Sequence, residues 1–326
     1  MAQNQQLGII TAKAIQFLKN IKLGERGRKR IYWIVTIGFL SLNAIAYTFA
    51  YALTHFRSPE EFSLGLSRPI STRIPSDLGL EYTTQRIPIN QTEWLETWFI
   101  PIKDAASKGT IILFPGSSGS KARQLLAPAK VFHELGYDTL LVDFRGVGGS
   151  SGNTNTIGIR ESQDVALSMS YAQKSNLKHP LILYGISMGS AAILKAVADK
   201  KANPDAIILE EPFAKLVNAV GSRVSRNHIP SFPLAELIVF WGGIQHGFNG
   251  FDHNPVDYAS QVKCPTLILQ GELDQWTTRV EIDRIIDNLR GYKQLSIFPR
   301  TGHNLLVTVD KERWGKDMAK FLKRVK

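Results

Sequence analysis

Between Ile31 and Thr54 the chain carries no ionisable side chain other than tyrosine, a run long enough to cross a hydrocarbon core of about 30 Å. Tyr32 and Trp33 stand at one end and Tyr47 and Tyr51 towards the other, the placing of interfacial aromatic belts. The pattern then changes character. Residues 55–79 hold Pro59, Pro69 and Pro75 with several serines and little periodicity, which predicts a linker. From about residue 80 short apolar runs alternate with helix-like stretches. Glu81–Ile89 and Trp94–Ile102 flank Asn90-Gln91 as an antiparallel hairpin. Thr110–Phe114, Thr139–Phe144, Leu181–Tyr184, Ala206–Leu209 and Thr266–Gln270 are unbroken apolar runs that suit strands covered on both faces, and Gln294–Phe298 adds another strand. Helices are predicted over Ala122–Leu135, around Glu161–Gln173, after Ser187 and from about Leu305. Such alternation predicts an α/β fold, a mostly parallel sheet with helices on both faces.

Two stretches depart from this rhythm. Residues 7–23 place Ile10, Ala14, Phe17, Leu18 and Ile21 on one helical face, the spacing of a short helix lying on a membrane surface or of a solvated tail. Residues 214–258 contain Pro230 to Gly243, too apolar for a plain loop, and read either as a small helical lid over a site or as a helix packed on the sheet. The expected organisation is a basic cytoplasmic segment over 1–30, a transmembrane anchor over 31–54, a linker over 55–79 and a catalytic domain over 80–326.

A net charge of +11 raises the question of nucleic acid. Residues 1–30 carry seven Lys/Arg against one Glu, and residues 311–326 carry seven against Glu312 and Asp317, so the two ends account for the whole excess. A neutral body offers no groove for a phosphate backbone, and nucleic acid is excluded as a partner. The cluster Arg26, Arg28, Lys29 and Arg30 precedes the apolar run, which predicts a cytoplasmic N-terminus and an exported domain. Ala44-Ile45-Ala46 and Ala50-Tyr51-Ala52 resemble signal-peptidase sites, but the run is longer than the 7–15 residues or so of a cleavable signal, so an uncleaved anchor is expected. Cys264 is the one cysteine, which rules out an internal disulfide and a multi-cysteine metal site.

The candidate chemistry begins at Gly185-Ile186-Ser187-Met188-Gly189, a G-x-S-x-G turn between a buried strand and a helix. A serine hydroxyl becomes a nucleophile when an imidazole takes its proton and a carboxylate fixes that imidazole's tautomer. In open α/β sheets such groups sit on loops beyond the carboxyl ends of strands. Gly271-Glu272-Leu273-Asp274 follows one late strand and Gly302-His303 follows the next, so Ser187, Asp274 and His303 occur in the chain order this turn predicts. Glu210 and Glu211 are rivals for the acid's place, with Glu211 before Pro212 read as a structural or lid contact. The amide of Met188 is one candidate oxyanion donor, and the glycine-rich loop after Phe114 nominates Ser117 as the other.

The chain from about residue 80 resembles the α/β-hydrolase superfamily, and within it the membrane-anchored serine hydrolases of the bud-emergence-protein type and their bacterial relatives. The resemblance rests on Asp143-Phe144-Arg145-Gly146-Val147-Gly148, the Ser187 turn, Gly271–Asp274 and Gly302-His303. It implies Ser187 as nucleophile, His303 as base and Asp274 as its partner, with Ser117 and Met188 as oxyanion donors. One departure is Pro115-Gly116, where relatives have His-Gly. The expected function is hydrolysis of ester, thioester or amide bonds of a small-molecule or lipid-like acyl substrate, at membrane lipids, with no cofactor and no metal. The alternative is an inactive, membrane-tethered binding or scaffold protein.

Overall fold

The computed structural model describes residues 24–58, 61–62, 73–103, 106–117 and 119–325. The amphipathic reading of residues 7–23 and most of the linker therefore lie outside the described residues.

The first element is helix α1 (Glu25–Thr54), about 45 Å long at 1.5 Å per residue. Trp33, Ile34, Phe39 and Leu40 on it are 60–63% exposed, so the helix carries an open apolar surface. Two short strands, β1 (Phe56–Ser58) and β2 (Glu61–Phe62), pair antiparallel, and a 3₁₀ turn covers Pro75–Leu78. The main sequence of elements follows: β3 (Thr83–Pro88), β4 (Trp94–Ile100), β5 (Thr110–Phe114), α2 (Leu126–Glu134), β6 (Asp138–Val142), α3 (Glu161–Lys174), β7 (Leu181–Ile186), α4 (Met188–Ala198) and β8 (Ala206–Glu210). Then come α5 (Leu216–Ser225), α6 (Leu234–His246), α7 (Pro255–Tyr258), β9 (Thr266–Gly271), α8 (Arg279–Asn288), β10 (Lys293–Phe298), α9 (Leu306–Val309) and α10 (Lys311–Leu322).

Strands β3 to β10 form one eight-stranded sheet in the order β10-β9-β8-β7-β5-β6-β4-β3. It is parallel from β10 to β6 and antiparallel at β4 and β3. Residue chemistry accounts for the order. Every residue of β5 to β9 is buried, as their unbroken apolar runs require, whereas β3 (Thr-Thr-Gln-Arg-Ile-Pro) and β10 (Lys-Gln-Leu-Ser-Ile-Phe) carry the polar positions of edge strands.

Successive side chains on a strand point to opposite faces, so one sheet makes two cores. Ile112, Phe114, Leu140 and Leu183 pack with Val165 and Met169 of α3 and Ala192 and Ile193 of α4. Ile111, Leu113, Leu141 and Tyr184 pack with Phe132 of α2 and Trp314, Met318 and Phe321 of α10. Trp314 is fully buried, edge-on to Phe132 and Tyr184 at 5.0 and 6.0 Å, and its indole N–H donates to Glu210 Oε2 at 3.0 Å. Helix α8 was not legible from the pattern of apolar positions: its buried face is only Glu281, Ile282 and Ile285, and its capping box, Thr278 with Glu281, is the signal that marks its start.

The compact unit Ala46–Lys326 includes the last turns of α1. There Ala46 and Ala50 pack on Ile238 of α6, and Tyr47 meets Trp241 edge-on at 5.6 Å. Small residues four apart let two helices approach closely. The 214–258 excursion thus forms helices, and α6 packs partly on the end of α1.

Removing the Trp314 ring leaves a cavity between α2, α10 and the sheet and takes away one of the two donors to Glu210 Oε2. Trp314→Ala is expected to lower unfolding stability by about 3–5 kcal/mol, read as a fall in the denaturation midpoint of the detergent-solubilised protein; an unchanged midpoint would refute this packing account.

Candidate active site

Ser187 stands between β7 and α4 with φ +51° and ψ −105°, a backbone state costing a non-glycine residue on the order of 1–3 kcal/mol. The two glycines around it remove side chains that the turn has no room for. A Cβ on Gly185 would lie 2.5 Å from the carbonyl carbon of Gly189, and one on Gly189 would lie 2.7 and 2.8 Å from the carbonyl oxygens of Phe114 and Pro115. With both absent, α4 starts directly against the end of β5. The amide of Ser187 donates to the carbonyl of Glu210 at 2.7 Å, and the amide of Ala191 donates back to the Ser187 carbonyl at 3.1 Å. These bonds hold the strained residue in place.

His303 bridges the other two predicted residues. Its Nδ1 lies 2.8 Å from Asp274 Oδ2 and its Nε2 lies 3.2 Å from Ser187 Oγ. With Nδ1–H donated to the carboxylate, Nε2 keeps its lone pair towards the serine hydroxyl. Asp274 also accepts from Gln270 Nε2 at 2.8 Å, from the Trp276 amide at 2.7 Å and from the Thr277 amide at 3.2 Å. Burial alone would push its carboxyl up, but the hydrogen bond and charge of His303 with these amides outweigh burial and hold it below the usual carboxylate value. It stays ionised where it is needed. The Asp274 and His303 loops are tied to each other through Leu273 N to Thr301 O at 2.8 Å and Glu272 N to Phe298 O at 2.9 Å.

The two glutamates weighed as rivals for the acid's place have other positions. Glu210 is fully buried behind the site: Oε2 accepts from Tyr184 Oη at 2.7 Å and from Trp314, and Oε1 accepts from the Leu306 amide at 2.8 Å. Glu211 comes closer, with Oε2 3.4 Å from His303 Nδ1 and Oε1 accepting from the Asn304 amide at 3.2 Å. Burial, followed by the charges of Glu210 and Asp274, pushes its carboxyl up to about 10, so it is neutral at pH 7. Only Asp274 presents full negative charge to the imidazole. Glu211, Asp274 and His303 offer three donor atoms within 4.8 Å of one another. Because Glu211 carries its proton and Nδ1 is committed to Asp274, the cluster suits a hydrogen-bonded relay better than a cation.

The Gly116-Ser117 backbone lies against the serine, since a methyl on Gly116 would be 3.6 Å from Ser187 Cβ, and the Gly116 amide donates to Gln124 Oε1 at 2.8 Å. The amide of Met188 opens α4. The loop that holds Gly116 and Ser117 and the start of α4 therefore both adjoin Ser187. Missing from the sequence reading was Trp276, whose ring stacks on His303 at 4.9 Å and 8°, and Arg223 of α5, whose guanidinium lies 4.3 Å from the same ring. An aromatic two residues past the candidate acid was the available signal for Trp276; Arg223 had none.

The sheet order, the strained serine turn and the late acid and histidine loops define the α/β-hydrolase fold. A family model described as serine aminopeptidase, S33, matches residues 105–237. The Bacillus subtilis protein YqkD is 26% identical over 195 residues, 59% of this chain and 64% of that one. A lysophosphatidylserine lipase of Danio rerio is 26% identical over 67% of this chain and 54% of its own, and the bem46 protein of Schizosaccharomyces pombe is 22% identical over 81% and 84%. The matched segment thus spans less than two thirds of the Bacillus protein and about half of the zebrafish lipase. Among solved structures, a Pyrococcus furiosus esterase superposes with TM-score 0.66 at 22% identity, covering 79% of this chain and 96% of its own. An esterase from Butyrivibrio proteoclasticus with ferulic acid bound gives 0.57 at 16% identity over 74% and 98%. Lipases and esterases are thus among the proteins to which this chain is similar.

Glu211 also has a pH signature. Its folded pKa near 10 lies above the ordinary 4.5, so the folded state keeps a proton that the unfolded state releases. Stability must then fall as pH rises between those values, by up to about 1.4 kcal/mol per pH unit. Glu211→Gln removes that slope, and the difference in Tm between variant and parent is expected to move in the variant's favour from pH 5 to pH 9; a constant difference would mean that Glu211 is ionised when folded.

Proposed function

We propose that this chain is a membrane-anchored serine hydrolase that cleaves ester or thioester bonds through an acyl-serine intermediate. The observation that carries the reading is His303, which contacts Ser187 Oγ with one nitrogen and Asp274 with the other. In the first step His303 Nε2 takes the hydroxyl proton as Ser187 Oγ bonds to the substrate's carbonyl carbon, and the carbonyl oxygen becomes an oxyanion. The amides of Met188 and Ser117 receive that charge, and Asp274 offsets the charge of the imidazolium. Collapse expels the alcohol or thiol, which takes the proton from Nε2 and leaves Ser187 acylated. Water then attacks by the same route, giving its proton to Nε2, and the acid leaves as Ser187 Oγ regains a hydrogen. The scheme uses side chains and water alone.

Helix α1 supports anchoring because its length and exposed apolar surface match a hydrocarbon core. The basic residues Arg26, Arg28, Lys29 and Arg30 ahead of the apolar run support a cytoplasmic N-terminus and a catalytic domain outside the cytoplasm. Helices α5 and α6 form a lid over the mouth of the site, with Phe232, Phe240 and Ile244 left exposed for contact with acyl chains or lipid. The lipid-directed name of the zebrafish relative agrees with such a substrate.

A fluorophosphonate probe should label the parent protein and not Ser187→Ala. His303→Ala and Asp274→Asn should each lower kcat on a 4-nitrophenyl acyl ester by at least about 10³-fold, with the circular-dichroism spectrum unchanged. Labelling that survives in Ser187→Ala would remove the assignment.

A further inference from the structure

Arg223 and Arg226 stand on one side of the site and, among the described residues, make no ion pair. The Arg223 guanidinium lies 4.3 Å and that of Arg226 5.3 Å from the ring centroid of Trp276, whose ring lies 4.9 Å from that of His303. Two ring spacings therefore separate a positive charge from the imidazole at Ser187. Arginines 145, 279 and 313 pair with carboxylates, whereas among the described residues Arg223 and Arg226 form no ion pair. Arg223 donates to the Ala219 carbonyl at 2.8 Å, which leaves most of its five N–H groups for another acceptor. Burial lowers Arg223 to about 10 and the carboxylate of Asp274 acts the other way, so it is a cation at neutral pH. Asp274 cannot serve as its partner, being engaged by His303, Gln270, Trp276 and Thr277. A second donor is idle at the same place: Trp276 Nε1 is buried with no hydrogen-bond partner. Buried donors and cations are costly unless an acceptor reaches them.

We propose that Arg223, with Arg226 and the Trp276 indole N–H, binds an oxyanion of the substrate, so that the preferred ester carries a carboxylate or phosphate a few bonds from the scissile carbonyl. The inference rests on the hydrolase reading for its reaction, but the binding site stands apart from turnover. A guanidinium lying over an aromatic ring, with N–H groups beyond the one given to Ala219, can take a carboxylate or phosphate bidentately. The ring also fixes how far the anion sits from Ser187, which makes Arg223 a selector of substrate and not a participant in proton transfer.

Two matched pairs of esters test this and tell the sources of the anion apart. On the alcohol side, 1-oleoylglycerol 3-phosphate is compared with 1-oleoylglycerol; on the acyl side, mono-4-nitrophenyl glutarate is compared with its methyl ester. The full-length, detergent-solubilised protein is expected to prefer the charged member at least about tenfold in kcat/KM in one pair, and Arg223→Gln to cut that preference by about tenfold. Arg226→Gln, further from the ring, should cut it by about threefold and serves if the first variant does not fold, as judged by fluorophosphonate labelling. Equal handling of charged and neutral members in both pairs, or a preference unmoved by either variant, overturns the proposal. Binding to Ser187→Ala protein, followed by tryptophan fluorescence, separates this from the catalytic reading. Tighter binding of the phosphate lipid than of 1-oleoylglycerol, weakened by Arg223→Gln, supports the anion site even if no ester is hydrolysed. Equal binding of the two lipids counts against it even if both are hydrolysed.

Discussion

Glu210 is the joint on which the site hangs. Its carbonyl oxygen takes the amide of Ser187, and its side chain takes the amide of Leu306 three residues past His303. One residue at the end of β8 therefore sets the serine turn and the histidine loop relative to each other. Its second carboxyl oxygen is locked by Tyr184 from β7 and Trp314 from α10, so the joint is fastened to both the sheet and a covering helix. Burial pushes the Glu210 carboxyl above its usual value, but the hydrogen bonds from Trp314, Leu306 and Tyr184 act against that rise. A buried acceptor with three donors is tolerated; the same group with one removed would be a liability.

Next to this joint the charge is divided unevenly. Asp274 collects four hydrogen-bond donors and remains ionised, while Glu211, 3.4 Å from the same imidazole nitrogen, keeps its proton. Two full negative charges beside one imidazole would overstabilise its cation and dull it as a base, and they would repel each other in a site shielded from water. Positive φ values at Ser187 and Glu211, both +51°, fall at the carboxyl ends of the adjacent strands β7 and β8. Both strained positions present groups to His303, and the surrounding parallel sheet is rigid enough to hold them.

Trp276 extends the same logic outwards. Its amide holds Asp274, its ring covers one face of His303, and the ring also lies against two arginines from the 214–258 excursion. Helix α5 is thereby coupled to the imidazole through one indole. On its other side α6 packs on Ala46 and Ala50 of α1, so the elements around the site are continuous with the end of the apolar helix.

The order of strands, the all-apolar interior strands, the serine turn and the sequence of serine, acid and histidine loops were legible in the chain because each depends on short-range signals: unbroken apolar runs, glycines flanking a serine, and loops directly after strands. Helix α8 was not read, since Ile282, Ile285 and Ile286 are few among its charged residues, although they stand at helical spacing. Chain order favoured Asp274 over Glu210 and Glu211, but all three follow strands and differ by a few ångströms that spacing along a chain cannot resolve. Those distances, the proton kept by Glu211, the indole over His303 and the unpaired Arg223 arise where five separate segments converge. Tertiary structure decided them because hydrogen-bond number and burial, and not residue type, determine which carboxyl is charged and which cation is left without a partner.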